Sequence, residues 1–155
     1  VNLHNVEVPS ECVIAGPVRH VMASGLGAST GGHETSTLAI GLAKAAIDFL
    51  TDEASRRADL QQPAAALRNE HDGLFDELLA IVRGETRMSK ETLRQRANSL
   101  ALRASQAALT AAKGSGYVVG HPAGRWCREA MFFLVWSCPQ PVAAANMCEL
   151  AGILD

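Results

Sequence analysis

From His33 to the end of the chain, apolar residues return at steps of three and four, and this helical period of about 3.6 limits the available folds more than any other feature. Leu38, Leu42, Ala45 and Phe49 make one such stripe, predicting a first long helix from about His33 to Ala58. Pro63 suits the first turn of a second helix, whose buried line is Leu67, Leu74, Leu78 and Ile81 and which Gly84 stops. Ser89 is a good N-cap for a third helix, in which Ala97, Ala101, Ala104, Ala108 and Ala111 form a stripe small enough for a neighbouring helix to come close. Gly114 and Gly116 end it. A fourth helix is expected from about Ala123 to Trp136 and a fifth from about Pro141 to Ala151, separated by Pro139 and Pro141. The pattern predicts an all-α fold: an antiparallel up-and-down four-helix bundle with a short extra C-terminal helix.

Residues 1–30 read differently. Val1 to Pro9 alternates and is β-branched, as in a short strand, and Ala15 to Gly32 is rich in Gly, Ser and Thr, as in a linker. No second segment offers this strand a partner. Residues 1–30 are therefore expected to be an extended segment left from a preceding β domain, and residues 31–155 the helical bundle. The start at Val1 agrees with a trimmed chain.

With 155 residues, nearly half of them apolar, and a formal charge of −2, the chain reads as an ordinary soluble domain with no nucleic-acid partner. Arg83, Arg87, Lys90, Arg94, Arg96 and Arg103 cluster, but Glu70, Asp72, Asp76 and Glu77 precede them, so a solvated, mutually pairing helix face is expected. The apolar run from Met131 to Leu154 is broken by Pro139 and Pro141, which argues against a membrane span. Cys12, Cys127, Cys138 and Cys148 lack metal-ligand spacing and are expected as reduced core residues of a cytoplasmic protein. His33, His71 and His121 are expected in solvent-facing or capping roles, with no metal site.

Lys113-Gly114-Ser115-Gly116-Tyr117, then Pro122, then Arg125 through Arg128-Glu129-Ala130, resembles the C-terminal helical domain of the acyl-CoA dehydrogenase family. There a long helix ends in a glycine turn, an aromatic residue and a proline follow, and an Arg-Asp/Glu-Ala triplet opens the next helix. His4-Asn5-Val6-Glu7-Val8-Pro9 is similar to the strand that leads from the family's β domain into its bundle. The resemblance spans nearly the whole chain. It implies a parent flavoprotein with two further domains, FAD held between β domain and bundle, an acyl-CoA substrate, and assembly as a homo-oligomer through the bundle. It also implies that this chain alone is inactive.

The family's usual base, a Glu in a Glu-Gly-Thr turn, falls here on Ser137-Cys138-Pro139, so that base is absent. Relatives resembling isovaleryl-CoA dehydrogenase carry the carboxylate on the first long helix instead, which makes Glu34 the catalytic candidate. An acid in the first turn of a helix is equally explained by the macrodipole. For the flavin, the family's Gln position holds Thr110, its Arg-x-x-Phe-Gly run reads Arg57-Ala58-Asp59-Leu60-Gln61, and only Gly114 is retained. Gly114 also suits a helix C-cap. Trp136, with Ser137, falls where substrate is flanked, or in the core. Three functions stay open: the C-terminal domain of an FAD-dependent oxidoreductase acting on CH-CH groups of an acyl thioester, a flavin-dependent monooxygenase-like relative, and a non-catalytic oligomerisation scaffold.

Overall fold

The computed structural model describes residues 4–13, 19, 33–85 and 88–153. Among the described residues, five helices carry the fold: α1 His33–Ala54, α2 Gln61–Val82, α3 Lys90–Ala112, α4 Pro122–Phe132 and α5 Gln140–Leu150. Short 3-10 turns occupy Ser10–Cys12, Ala58–Leu60 and Lys113–Tyr117. No strand forms among the described residues. The strand expected over residues 1–9 is absent from 4–9, where Val6 and Val8 stand exposed, because an edge without a ladder partner gains nothing from extension. The rest of the expected linker lies largely outside the described residues.

Helix α3 is the hub and packs against all four others. Its alanine stripe, Ala97, Ala101, Ala104, Ala108 and Ala111, is buried as the spacing predicts. Helix α1 meets it with Ala39, Ile40, Ala43, Ala46, Ile47 and Leu50, so the buried face of α1 is turned about one residue from the expected stripe. Leu38 is 57 % exposed, and Leu42, Ala45 and Phe49 sit half-buried along the flank. The physical reason is that α1 carries two adjoining apolar stripes. The alanine-rich one lets its backbone come closest to the alanines of α3 and gains the denser dispersion contacts.

Local chemistry fixes the helix ends. Ser55 closes α1 four residues earlier than expected, its N–H shared between the Thr51 and Asp52 carbonyls at 3.2 Å each. Pro63 is the third residue of α2, where a missing N–H leaves no intrahelical bond unmade. Gly84, at φ 81°, ends α2 in a Schellman motif: its N–H reaches the Ile81 carbonyl at 3.0 Å and the Glu85 N–H reaches Ala80 at 2.8 Å. Ser89 caps α3 by accepting from the Thr92 N–H at 3.0 Å. Ser89→Ala is expected to lower the unfolding free energy by about 1 kcal/mol, read as a shifted urea midpoint with unchanged slope.

Long-range polar contacts tie the helices together. Arg57 Nη1 donates to the Ala111 carbonyl at 2.8 Å, joining the end of α1 to the end of α3. Arg68 on α2 reaches Asp48 and Thr51 on α1, and Arg103 on α3 reaches Glu70 on α2 at 2.6 Å. The Lys44 ammonium hydrogen-bonded to Asp48 holds that carboxyl below the usual range, with Arg68 adding to the effect against partial burial. Near the other end, Asn98 Nδ2 on α3 donates to the Phe133 carbonyl just past α4. Ser99 hydrogen-bonds Glu149 of α5.

Four expectations change. Arg94 does not belong to a solvated basic face: it is 1 % exposed, and Arg87 lies outside the described residues. His71 is buried, its Nδ1 2.9 Å from Asp72 and its ring stacked on Phe75, so it continues the α2 core line. No cysteine is a core residue: Cys12 and Cys148 are exposed, Cys127 and Cys138 half-buried, and all are free thiols. The helix expected to reach Trp136 ends at Phe132, and the chain continues in tight turns to Ser137.

Candidate functional site

The corner between α3 and α4 shows what its glycines are for. A Cβ on Gly116 would stand 2.6 Å from Leu109 Cδ1 and 3.2 Å from Ala112 Cβ, and one on Gly124 would stand 2.9 Å from the Gly116 carbonyl oxygen. Gly124 therefore needs glycine, because the atom in its way is backbone, whereas at Gly116 the end of the Leu109 side chain can turn aside and only the Ala112 contact is tight. Gly114 does not: space around it is open, it is exposed, and the left-handed residue is Lys113 at φ 53°. Its expected C-cap role thus passes to a neighbour. His121 caps α4 through its Nδ1, which accepts from the Ala123 N–H at 3.2 Å, as its place at a helix entrance predicts. Tyr117, Val118, Arg125 and Arg128 border an open cleft of about 450 Å³ here.

At the opposite end, α1 and α4 enclose a shallow apolar groove lined by Thr37, Leu38, Gly41, Leu42, Phe132 and Phe133. On the other side of α1, a second depression runs over Gly41 to His71, Phe75 and Leu78 of α2. Trp136 packs on Phe132 in a tilted pair with ring centroids 4.9 Å apart and is 51 % exposed, so it is a surface aromatic and not a core one. Ser137 beside it is half-buried at φ 49°.

Glu34 lies in the first turn of α1, exposed, one turn ahead of the Thr37 and Leu38 that line the groove. The structure thus sets Glu34, Trp136 and Ser137 toward one end of the array. Thr110 and Gly114 sit at the far end of α3, a helix rise of roughly 25 Å from the Arg94 that bonds Trp136. The Thr110 side chain is exposed, and its hydroxyl donates to the Gln106 carbonyl of its own helix at 2.8 Å.

Sequence reading missed Arg94. It donates from Nε to Asn98 Oδ1 at 3.0 Å and from Nη2 to the Trp136 carbonyl at 3.2 Å, anchoring the turn that carries Trp136 and Ser137. Its position three residues before Ala97 continues the alanine stripe by one step, a signal that its charge obscured.

No protein-family model, curated protein or solved structure matches this chain. Among the described residues, no group of three or more His, Cys, Asp or Glu side chains is placed to hold a metal ion, and no helix is long and apolar enough to cross a membrane.

Proposed function

We propose that this chain is the C-terminal helical domain of an acyl-CoA dehydrogenase-like, FAD-dependent oxidoreductase that acts on the CH-CH group of an acyl thioester, and that it is inactive alone. The observation that carries the reading is the α3–α4 corner. The glycine, proline and Arg-Glu-Ala order that resembles the family falls on a joint where Gly116 packs closely on Leu109 and Ala112 and Gly124 is sterically required. The helix order supports an up-and-down four-helix bundle of α1 to α4 with α5 as the short extra helix. Arg57 joins the ends of α1 and α3, while Asn98 near the start of α3 meets Phe133 at the end of α4.

In this reading the cytoplasmic parent holds its flavin mainly through residues outside this chain, with Thr110 and Gly114 facing the flavin of a neighbouring subunit in a homo-oligomer. Their distance from Glu34 agrees with two separate contact surfaces. Bound flavin supplies the hydride acceptor. Glu34 accepts the proton from the carbon next to the thioester carbonyl, and Trp136 with Ser137 borders the acyl chain.

Anaerobic mixing of the full-length protein with an acyl-CoA series tests the assignment. Bleaching of the flavin absorbance is expected. Glu34→Gln should retain flavin and slow the bleaching by roughly 100-fold or more. Bleaching by NAD(P)H and not by acyl-CoA, with substrate turnover only after oxygen is admitted, would favour the monooxygenase-like relative. Unchanged bleaching in Glu34→Gln would remove Glu34 as the base.

The exposed apolar line of Leu38, Phe132, Val135 and Trp136 favours one further reading, a non-catalytic scaffold that associates through this face. A colourless full-length oligomer would support it.

A further inference from the structure

Among the described residues, Arg94 is the largest side chain to be fully buried. Its Nη1, equally shut from solvent, has no hydrogen-bond partner among the described residues. None of their carboxylates forms an ion pair with the guanidinium, and burial pulls its pKa below the ordinary value against the opposing effect of nearby Cys138. A buried ionised group in this position is strongly unfavourable until it is paired.

A second feature lies at the same place. The N-cap of α5 is Pro139, which offers no side-chain cap, and Pro141 at the second position has no N–H. The N–H groups of Gln140 and Val142 therefore lack intrahelical acceptors, at the positive end of an 11-residue helix. Between this helix start and the Trp136 carbonyl held by Arg94 stands Ser137, a non-glycine residue at φ 49°. Strain of this kind persists where surrounding structure enforces it, often at ligand sites.

We propose that the junction of the start of α3, the Trp136–Pro139 turn and the first turn of α5 is a binding site for a single carboxylate group, received by Arg94 Nη1 and the uncapped start of α5. The charge decides the class. One buried cation balances one negative charge, whereas a phosphate near neutral pH carries about −1.5 to −2 and would leave an excess inside. With Nε engaged by Asn98 and Nη2 by Trp136, Nη1 keeps its N–H groups for a small anionic acceptor. The turn that covers Arg94 has an exposed Trp136 and half-buried Ser137, Cys138 and Pro139. The site belongs to this chain and is independent of the flavin reading.

Sodium acetate is the probe, titrated into the chain at an ionic strength held constant with sodium chloride. Tryptophan fluorescence should change with saturation, and the thermal midpoint should rise by roughly 5 °C once acetate exceeds its dissociation constant about 100-fold. Arg94→Met should abolish both responses while its circular dichroism stays helical. Trp136→Phe should lose the optical change and keep the thermal one. Sodium phosphate at about pH 8, where it is a dianion, should give less than about a tenth of the acetate shift. The proposal is overturned by a wild-type protein indifferent to acetate, by an equal response in Arg94→Met, or by phosphate stabilising more than acetate. The wild-type titration is decisive however the variants fold.

Discussion

Leu100→Ala is expected to lower the unfolding free energy by about 3 kcal/mol, and Ala101→Leu, one position along the same helix, by a similar amount from the opposite cause. Both residues are wholly buried on α3, the helix that touches all the others. Removing the Leu100 side chain leaves a cavity that helices fixed on several sides cannot collapse to fill, so the lost transfer free energy is joined by a cavity contribution. At Ala101 the added atoms have nowhere to go, because the facing residues of α1 include Ala39, Ala43 and Ala46, all at zero exposure. Leucine there forces α1 and α3 apart and loosens the contacts along the stripe. Urea unfolding followed by circular dichroism measures both. A neutral Ala101→Leu would mean that α1 and α3 do not approach as closely as their alanines allow.

Arg94 gives the second large effect, and its size depends on what replaces it. Arg94→Ala removes a large, fully buried side chain and strands Asn98 Oδ1 and the Trp136 carbonyl, and a loss of about 3 kcal/mol is expected. Arg94→Met fills most of the same volume and removes a buried charge that no carboxylate of the described residues balances. It strands the same two acceptors, so it is expected to lie below wild type but about 1 to 2 kcal/mol above Arg94→Ala. Chemical unfolding of the two variants side by side distinguishes a packing role from an ionic one. If methionine destabilises as much as alanine, the guanidinium is already well paired and the buried-cation argument fails.

The helices were legible because period, caps and breakers agree. Ser89, Gly84 and Pro63 do at the helix ends what their chemistry predicts, and the alanine stripe of α3 faces inward as spaced. Legibility stopped where residue type and periodicity disagreed. His71 stands between Leu67 and Leu74 in the α2 line, and Arg94 precedes Ala97 at the same spacing, yet each reads as polar and was placed in solvent. Period was the better guide at both. On α1, two apolar stripes compete, and only the alanines of the facing helix decide that Ala39, Ala43 and Ala46 go in while Leu38 stays out. That choice is made by packing between segments far apart in sequence, which no local pattern records. The candidate site was less legible than the fold. Glu34, Thr110 and Trp136 were assigned by position in a family pattern, and what stands around each depends on tertiary contacts. Gly114 shows the limit: the family pattern favours it, but the close approach at the corner belongs to Gly116 and Gly124.

The proposed function requires this helical array to lie against a flavin-holding part of a larger protein. The most direct test is the visible absorption spectrum of the purified full-length gene product, with its flavin quantified after denaturation. About one FAD per subunit is predicted, lost when the protein is cut back to these 155 residues. A folded full-length protein that carries no flavin and takes none up when FAD is added would contradict it.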